Sequence, residues 1–73
     1  MDRRLGARIR EAREAVGMTR AALAGLLAID VSVLGKIERG MVSVSAWRLA
    51  QIASHLRKPV SWFYRGLLTG KAA

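Results

Sequence analysis

Cysteine is absent from this chain and histidine occurs once, at His55. Neither a disulfide nor a thiolate metal site can therefore staple the fold, and a lone imidazole cannot assemble a metal set. Acid is scarce as well: five Asp and Glu stand against thirteen Lys and Arg, giving a net charge of +8 and a pI near 11.6. Beyond Glu38 there is no acid at all, only Arg39, Arg48, Arg57, Lys58, Arg65 and Lys71. Such a chain is drawn to polyanions, nucleic acid first among them. The apolar run from Ala21 to Ile29 is too short for a bilayer span. Asp2 and a charge every few residues interrupt any apolar stretch at the start, so no export signal is expected and the protein should stay in the cytoplasm. Catalysis has little to work with, since there are no paired carboxylates in reach, no Ser-His-Asp grouping and no Walker-type glycine loop. No enzyme activity, cofactor or metal is expected.

With 73 residues the chain makes one small domain, whose single core supplies about 3 to 5 kcal/mol of net stability. No repeat, low-complexity tract or Pro/Gly/Ser-rich linker divides it. Residues 1–68 are expected to form the domain and 69–73 a short loose tail.

What is present is a helical pattern centred on Thr19 to Gly40, TRAALAGLLAIDVSVLGKIERG. Thr19 can cap one helix with Leu23, Ala24 and Leu27 as its buried stripe; Asp30 can cap a second, with Leu34 and Ile37 pointing the same way and Gly40 ending it. The other side of that second helix carries Val31, Ser32, Gly35, Lys36 and Arg39, a narrow small and basic face suited to the DNA major groove. Before it, Asp2 can cap a helix reaching about Val16, with Leu5, Ile9, Ala12 and Val16 inward, Arg3, Arg4, Arg8 and Arg10 mainly outside, and Gly17 as its stop. After it, Ser45 or Ser43 can cap a helix from Ala46 to about Leu56 that buries Leu49, Ile52, Ala53 and Leu56. His55 is a surface residue of that helix, and Trp47 either covers the core edge or stacks near a sugar-phosphate backbone. Pro59 fits the first turn of a last helix and Gly66 its end, with Val60 and Phe63 entering the core.

Thr-Arg-x-x-Leu-Ala, then Ile29 and Asp30, then Leu34 and Ile37-Glu38-Arg39-Gly40 resemble the helix-turn-helix of the Cro and phage-repressor type, the xenobiotic-response-element family. The resemblance extends from Leu5 to Leu68 and implies an all-α, five-helix, lambda-repressor-like domain. It implies that Val31, Ser32 and Lys36, with Gly35 between them, are the base-reading positions. It also implies phosphate contacts by Arg20 at the start of the second helix and by Arg39, Ser43, Ser45 and Arg48 around the start of the fourth. Arg13 is implied to pair with Glu38 as a structural ion pair.

Three departures from the family pattern stand out. Arg20 replaces a usual glutamine, Val44 a common proline, and Ala28 the glycine normal at the turn, so the turn is either strained by about 1 kcal/mol or differently shaped. Gly35 inside a helix weakens it by roughly 0.5 to 1 kcal/mol and either admits close backbone approach to DNA or is neutral.

Trp62, Tyr64, Leu67 and Leu68 cannot all enter so small a core, and form a candidate interface unless the tail folds back over them. The function implied is sequence-specific binding of double-stranded DNA by a transcriptional regulator, a repressor acting as a homodimer on a two-fold symmetric operator. It would work on the nucleoid of a bacterial cell or on phage DNA, with RNA polymerase as a further possible partner. Two alternatives differ in class. One is an antitoxin that binds DNA and also a toxin, through Leu26, Trp62, Tyr64 and Leu67. The other is a membrane-active basic peptide, disfavoured because Gly17, Gly40 and Pro59 segment the helices.

Overall fold

The computed structural model describes residues 3–65. Five helices follow one another: α1 Arg3–Ala15, α2 Arg20–Leu27, α3 Val31–Glu38, α4 Ala46–Leu56 and α5 Val60–Tyr64. No strand occurs among the described residues. The expected cap Asp2, the stop Gly66, the candidate interface residues Leu67 and Leu68, and the tail 69–73 lie outside them.

The apolar periodicities converge on one core. Leu5, Ile9 and Ala12 of α1 meet Leu23, Ala24 and Leu27 of α2, Leu34 and Ile37 of α3, and Leu49, Ile52, Ala53 and Leu56 of α4. Phe63 of α5 closes the open end and is fully buried. Two expected core residues stay outside. Val16 is 45% exposed because α1 ends at Ala15 and the chain turns away at Gly17; Val60 is 39% exposed because it starts α5, before that helix reaches the core at Phe63.

Four helix ends share one device. At Gly17, Ala28, Gly40 and Arg57 the chain enters the left-handed region, at φ between 56° and 74°. The following amides then bond back to the last carbonyls: Ile29 N–H to Ala24 O and Ala28 N–H to Gly25 O after α2, Met41 N–H to Lys36 O and Gly40 N–H to Ile37 O after α3. This is the Schellman arrangement, which satisfies carbonyls that the helix leaves unbonded. Ala28 keeps the turn shape that glycine would give and bears the strain, about 1 to 2 kcal/mol for an L-residue in this region; the second such position, Arg57, carries no sequence signal.

Two of the helix starts have the expected hydroxyl caps. Thr19 Oγ1 accepts from Ala22 N–H and Ser45 Oγ from Arg48 N–H, each at 3.0 Å. Asp30 does not act as a side-chain cap on α3; its Oδ2 instead accepts the Ser32 hydroxyl at 2.8 Å. Pro59 is not in the first turn of α5 but is the extended cap residue before it, with no side-chain cap bond.

The place of α3 is set by close backbone contact. A Cβ at Gly6 would fall 2.5 Å from the carbonyl oxygens of Ile37 and Glu38, and one at Gly40 would fall 2.6 Å from Arg3 Cα. Thus α1 lies directly on the last turn of α3, a packing that only hydrogen at these two positions permits.

Candidate nucleic-acid interface

Helix α3 is eight residues long, and its inward residues are fixed by the core, so its remaining side chains have to face out. Val31, Ser32, Val33 and Lys36 are exposed, followed by Arg39 at the helix end. Of the four positions expected to read bases, three lie on this outer surface. Gly35 does not: it is buried, beneath the Arg39 guanidinium and the Arg20 stem, which would stand 3.3 and 3.9 Å from a Cβ placed there. The Arg39 guanidinium and the Arg20 stem therefore close over Gly35. Val33, which sequence reasoning passed over, is 40% exposed, as is Val31.

Behind this face sits a buried charge cluster. Arg13 Nε donates to Glu38 Oε2 at 2.7 Å and Arg13 Nη2 to Glu38 Oε1 at 3.2 Å, a fork-to-fork pair. The two side chains are 7% and 2% exposed. A third Arg13 bond, Nη1 to Met18 O at 2.8 Å, holds the turn before α2. The hydrogen bond to Glu38 is the main reason that the Arg13 guanidinium is held above its ordinary pKa, against the opposing effect of burial. Arg20 joins from the surface, Nε to Glu38 Oε1 at 3.2 Å, with its side chain 42% exposed. One glutamate thereby links α1, α2 and α3, and it holds Arg20 in place at the edge of the face. With only Nε committed, the two terminal nitrogens of Arg20 remain for an anion.

The expected phosphate residues around α4 divide. Ser43 and Ser45 are exposed, but the Ser45 hydroxyl is occupied as the helix cap. Arg48 is half-buried: Nη1 bonds Leu27 O at 3.2 Å and Gln51 Oε1 at 2.8 Å. It therefore ties α4 to the end of α2. Trp47 does not cover the core edge; it is 68% exposed, with the Arg48 guanidinium 5.0 Å from its ring centroid.

At the opposite end, Arg8 is not a freely solvated arginine. Its Nη2 donates to Trp62 O at 2.6 Å, and its guanidinium lies 3.8 Å from the indole centroid. Lys58 Nζ approaches the same ring at 4.8 Å, and Phe63 meets it edge-on at 5.0 Å. Trp62 and Tyr64, expected as interface residues, are half-buried and packed against their own core. His55 is half-buried rather than a plain surface residue.

No helix among the described residues is long and apolar enough to cross a membrane. The geometry is that of a helix presented outward by a preceding helix and a tight turn. A family model described as a helix-turn-helix domain matches residues 4–71. The chain belongs to the helix-turn-helix family of the Cro and phage-repressor type.

Two known proteins are similar to this chain. The restriction-modification controller protein C.AhdI from Aeromonas hydrophila superposes with a TM-score of 0.77 at 33% identity, over 82% of this chain and 91% of that one. A protein of Rhodospirillum rubrum described as an uncharacterized transcriptional regulator in the ATPase CF(0) region is 33% identical over 70 residues. That alignment takes in 96% of this chain but 65% of the relative, so the chain spans just under two thirds of its length. The family is one of DNA-binding regulators and is not an enzyme family.

Proposed function

We propose that this helix-turn-helix domain is a sequence-specific regulator of transcription that seats α3 in the DNA major groove. Val31, Ser32 and Lys36 meet base edges: Lys36 can donate to guanine O6 and N7, and Val31 can pack on a thymine methyl. Gly35 contributes by letting Arg39 and Arg20 fold over the helix rather than by touching a base. Arg20, Arg39, Ser43 and the amides opening α4 take phosphates, which fix register without carrying sequence information. Arg48 contributes to this edge chiefly by holding α4 against α2.

The observation that carries the reading is the pairing of an exposed α3 face, bearing Lys36 and ending at Arg39, with a buried Arg13–Glu38 pair that fixes it and that Arg20 joins from the surface. A repressor is the simplest form of such a regulator, since occupying a promoter requires no further surface. We infer a homodimer joined through the α5 side, where Val60 is exposed and Trp62 and Tyr64 are half-buried. Two α3 helices would then enter successive major grooves about 34 Å apart on a two-fold symmetric site. The cysteine-free composition suits the reducing cytoplasm in which such a site would lie.

Selection of bound fragments from random duplex DNA tests this. The expected result is an enriched motif with two inverted halves one helical turn apart. Recovery of fragments without any shared sequence would contradict it.

A further inference from the structure

The leading corner of α3 is chemically unlike the rest of the face. Asp30 and Ser32 are both exposed, and the Asp30 side chain makes no bond to the helix amides. Instead its Oδ2 lies 2.8 Å from Ser32 Oγ. An ionised carboxylate has no proton to give, so the hydroxyl donates and its hydrogen is consumed inside the pair. What remains outward is a set of lone pairs, on Ser32 Oγ and on both Asp30 oxygens, together with one negative charge. Such a corner repels phosphate. It also repels the acceptor edge of guanine, N7 and O6, and the O4 of thymine.

We propose that the Asp30–Ser32 pair is a specificity element that selects a base bearing an exocyclic amine in the major groove, cytosine above all. Cytosine N4 has an acceptor on one side only, the O6 of its paired guanine, whereas adenine N6 is flanked on both sides, by its own N7 and by thymine O4, which face the same carboxylate unfavourably. The preference order at this position is therefore cytosine, then adenine, then guanine and thymine. Ser32 and Lys36 stand one helical turn apart on the same face, so the acceptor corner and the donor Lys36 read different base pairs of one half-site. Asp30 is a restraint as well as a reader, because its charge weakens attachment to duplexes that place an acceptor rather than an amine at this corner. This inference rests on the major-groove reading given above.

The test uses the whole chain and three proteins: wild type, Asp30→Ala and Ser32→Ala. Each is measured at one fixed salt concentration against a selected duplex, its single-position variants and random duplex. Wild type should prefer cytosine at one position of each half-site by about five- to a hundredfold over guanine or thymine. Asp30→Ala frees the Ser32 hydroxyl to donate, so it should flatten the preference at that position alone and bind random duplex more tightly than wild type. Ser32→Ala should weaken the same preference without that gain in random binding. A purely structural role for Asp30 would not produce stronger random binding.

If wild type selects a motif and both variants keep its base preferences unchanged at every position, the inference is overturned while the major-groove reading stands. If wild type selects no motif, the major-groove reading fails, and the inference with it.

Discussion

Arg13, two turns along α1 from Gly6, grips Glu38 in the last turn of α3 through two parallel hydrogen bonds of 2.7 and 3.2 Å. Gly6 lets the α1 backbone reach the carbonyls of the same turn. The helix offered to DNA is thus fastened at its C-terminal end by a charge pair and a backbone contact, while its N-terminal end carries the exposed residues Val31 and Ser32.

Glu38→Ala should be severely destabilising. It takes the buried carboxylate partner from Arg13, which keeps only Met18 O and the exposed Glu14 carboxylate at 3.9 Å, a change that costs about 3 to 5 kcal/mol. That is comparable with the whole net stability expected of a domain this size. Thermal melting should show a loss of more than ten degrees or no cooperative transition; a melting point within a degree or two of wild type would refute the role. Arg13 should show no pH dependence in the working range. Its raised pKa means that its contribution is complete below the ordinary arginine value and fades only as pH climbs through the still higher folded one.

Ala28→Gly should stabilise. Ala28 sits at φ 56° and ψ 42°, where glycine is free of the Cβ penalty. The gain should be about 1 kcal/mol, or roughly 4 to 8 °C in Tm for a domain of this size. A lowered Tm would show that the turn is not strained.

Alanine at two of the buried glycines, Gly6 and Gly35, should have opposite effects. Gly6→Ala places a methyl 2.5 Å from two carbonyl oxygens, so α1 must lift off α3 and stability should fall by roughly 1 to 3 kcal/mol. Gly35→Ala meets the movable tip of Arg39 at 3.3 Å and, at an ordinary contact distance of 3.9 Å, the Arg20 stem. It should raise stability by about 0.5 to 1 kcal/mol through helix propensity. Urea denaturation of both proteins separates the two effects; equal losses would mean that Gly35 is also a packing contact.

These cases show what the sequence made legible. The core followed from spacing, because Ile9, Leu23, Leu34, Leu49 and Leu56 each recur at helical intervals and each is buried. Thr19 and Ser45 followed from local cap chemistry. Periodicity failed where a stripe outruns its helix, as at Val16, or begins before the core is reached, as at Val60. Long-range partners were hidden as well. Nothing local to Arg8 shows that it covers Trp62, which stands 54 residues later. Nor does the neighbourhood of Arg48 show that it is spent on Leu27 O. Gly6 has no signal until α1 is seen lying on α3, and Asp30 has two local options, the helix amides or the Ser32 hydroxyl, of which the structure takes the second.

Arg8 and Lys58 together cover Trp62, so Arg8→Ala should loosen α5. The loss combines a hydrogen bond to Trp62 O with a cation–π contact, about 1 to 3 kcal/mol in all. Tryptophan emission should shift to longer wavelength as the indole gains water; because Trp47 is already exposed, the change reports on Trp62. An unchanged spectrum would mean that α5 is held by Phe63 alone.

The outward α3 face is the central claim, and Lys36→Ala tests it most directly. Its affinity should be measured on a selected duplex, on every single base-pair variant of that duplex and on random DNA, at one salt concentration. The account predicts a loss of about 1 to 3 kcal/mol on the selected duplex, with preference relaxed at one position of each half-site and the other positions unchanged. An equal loss on all duplexes, or no loss on any, would contradict it.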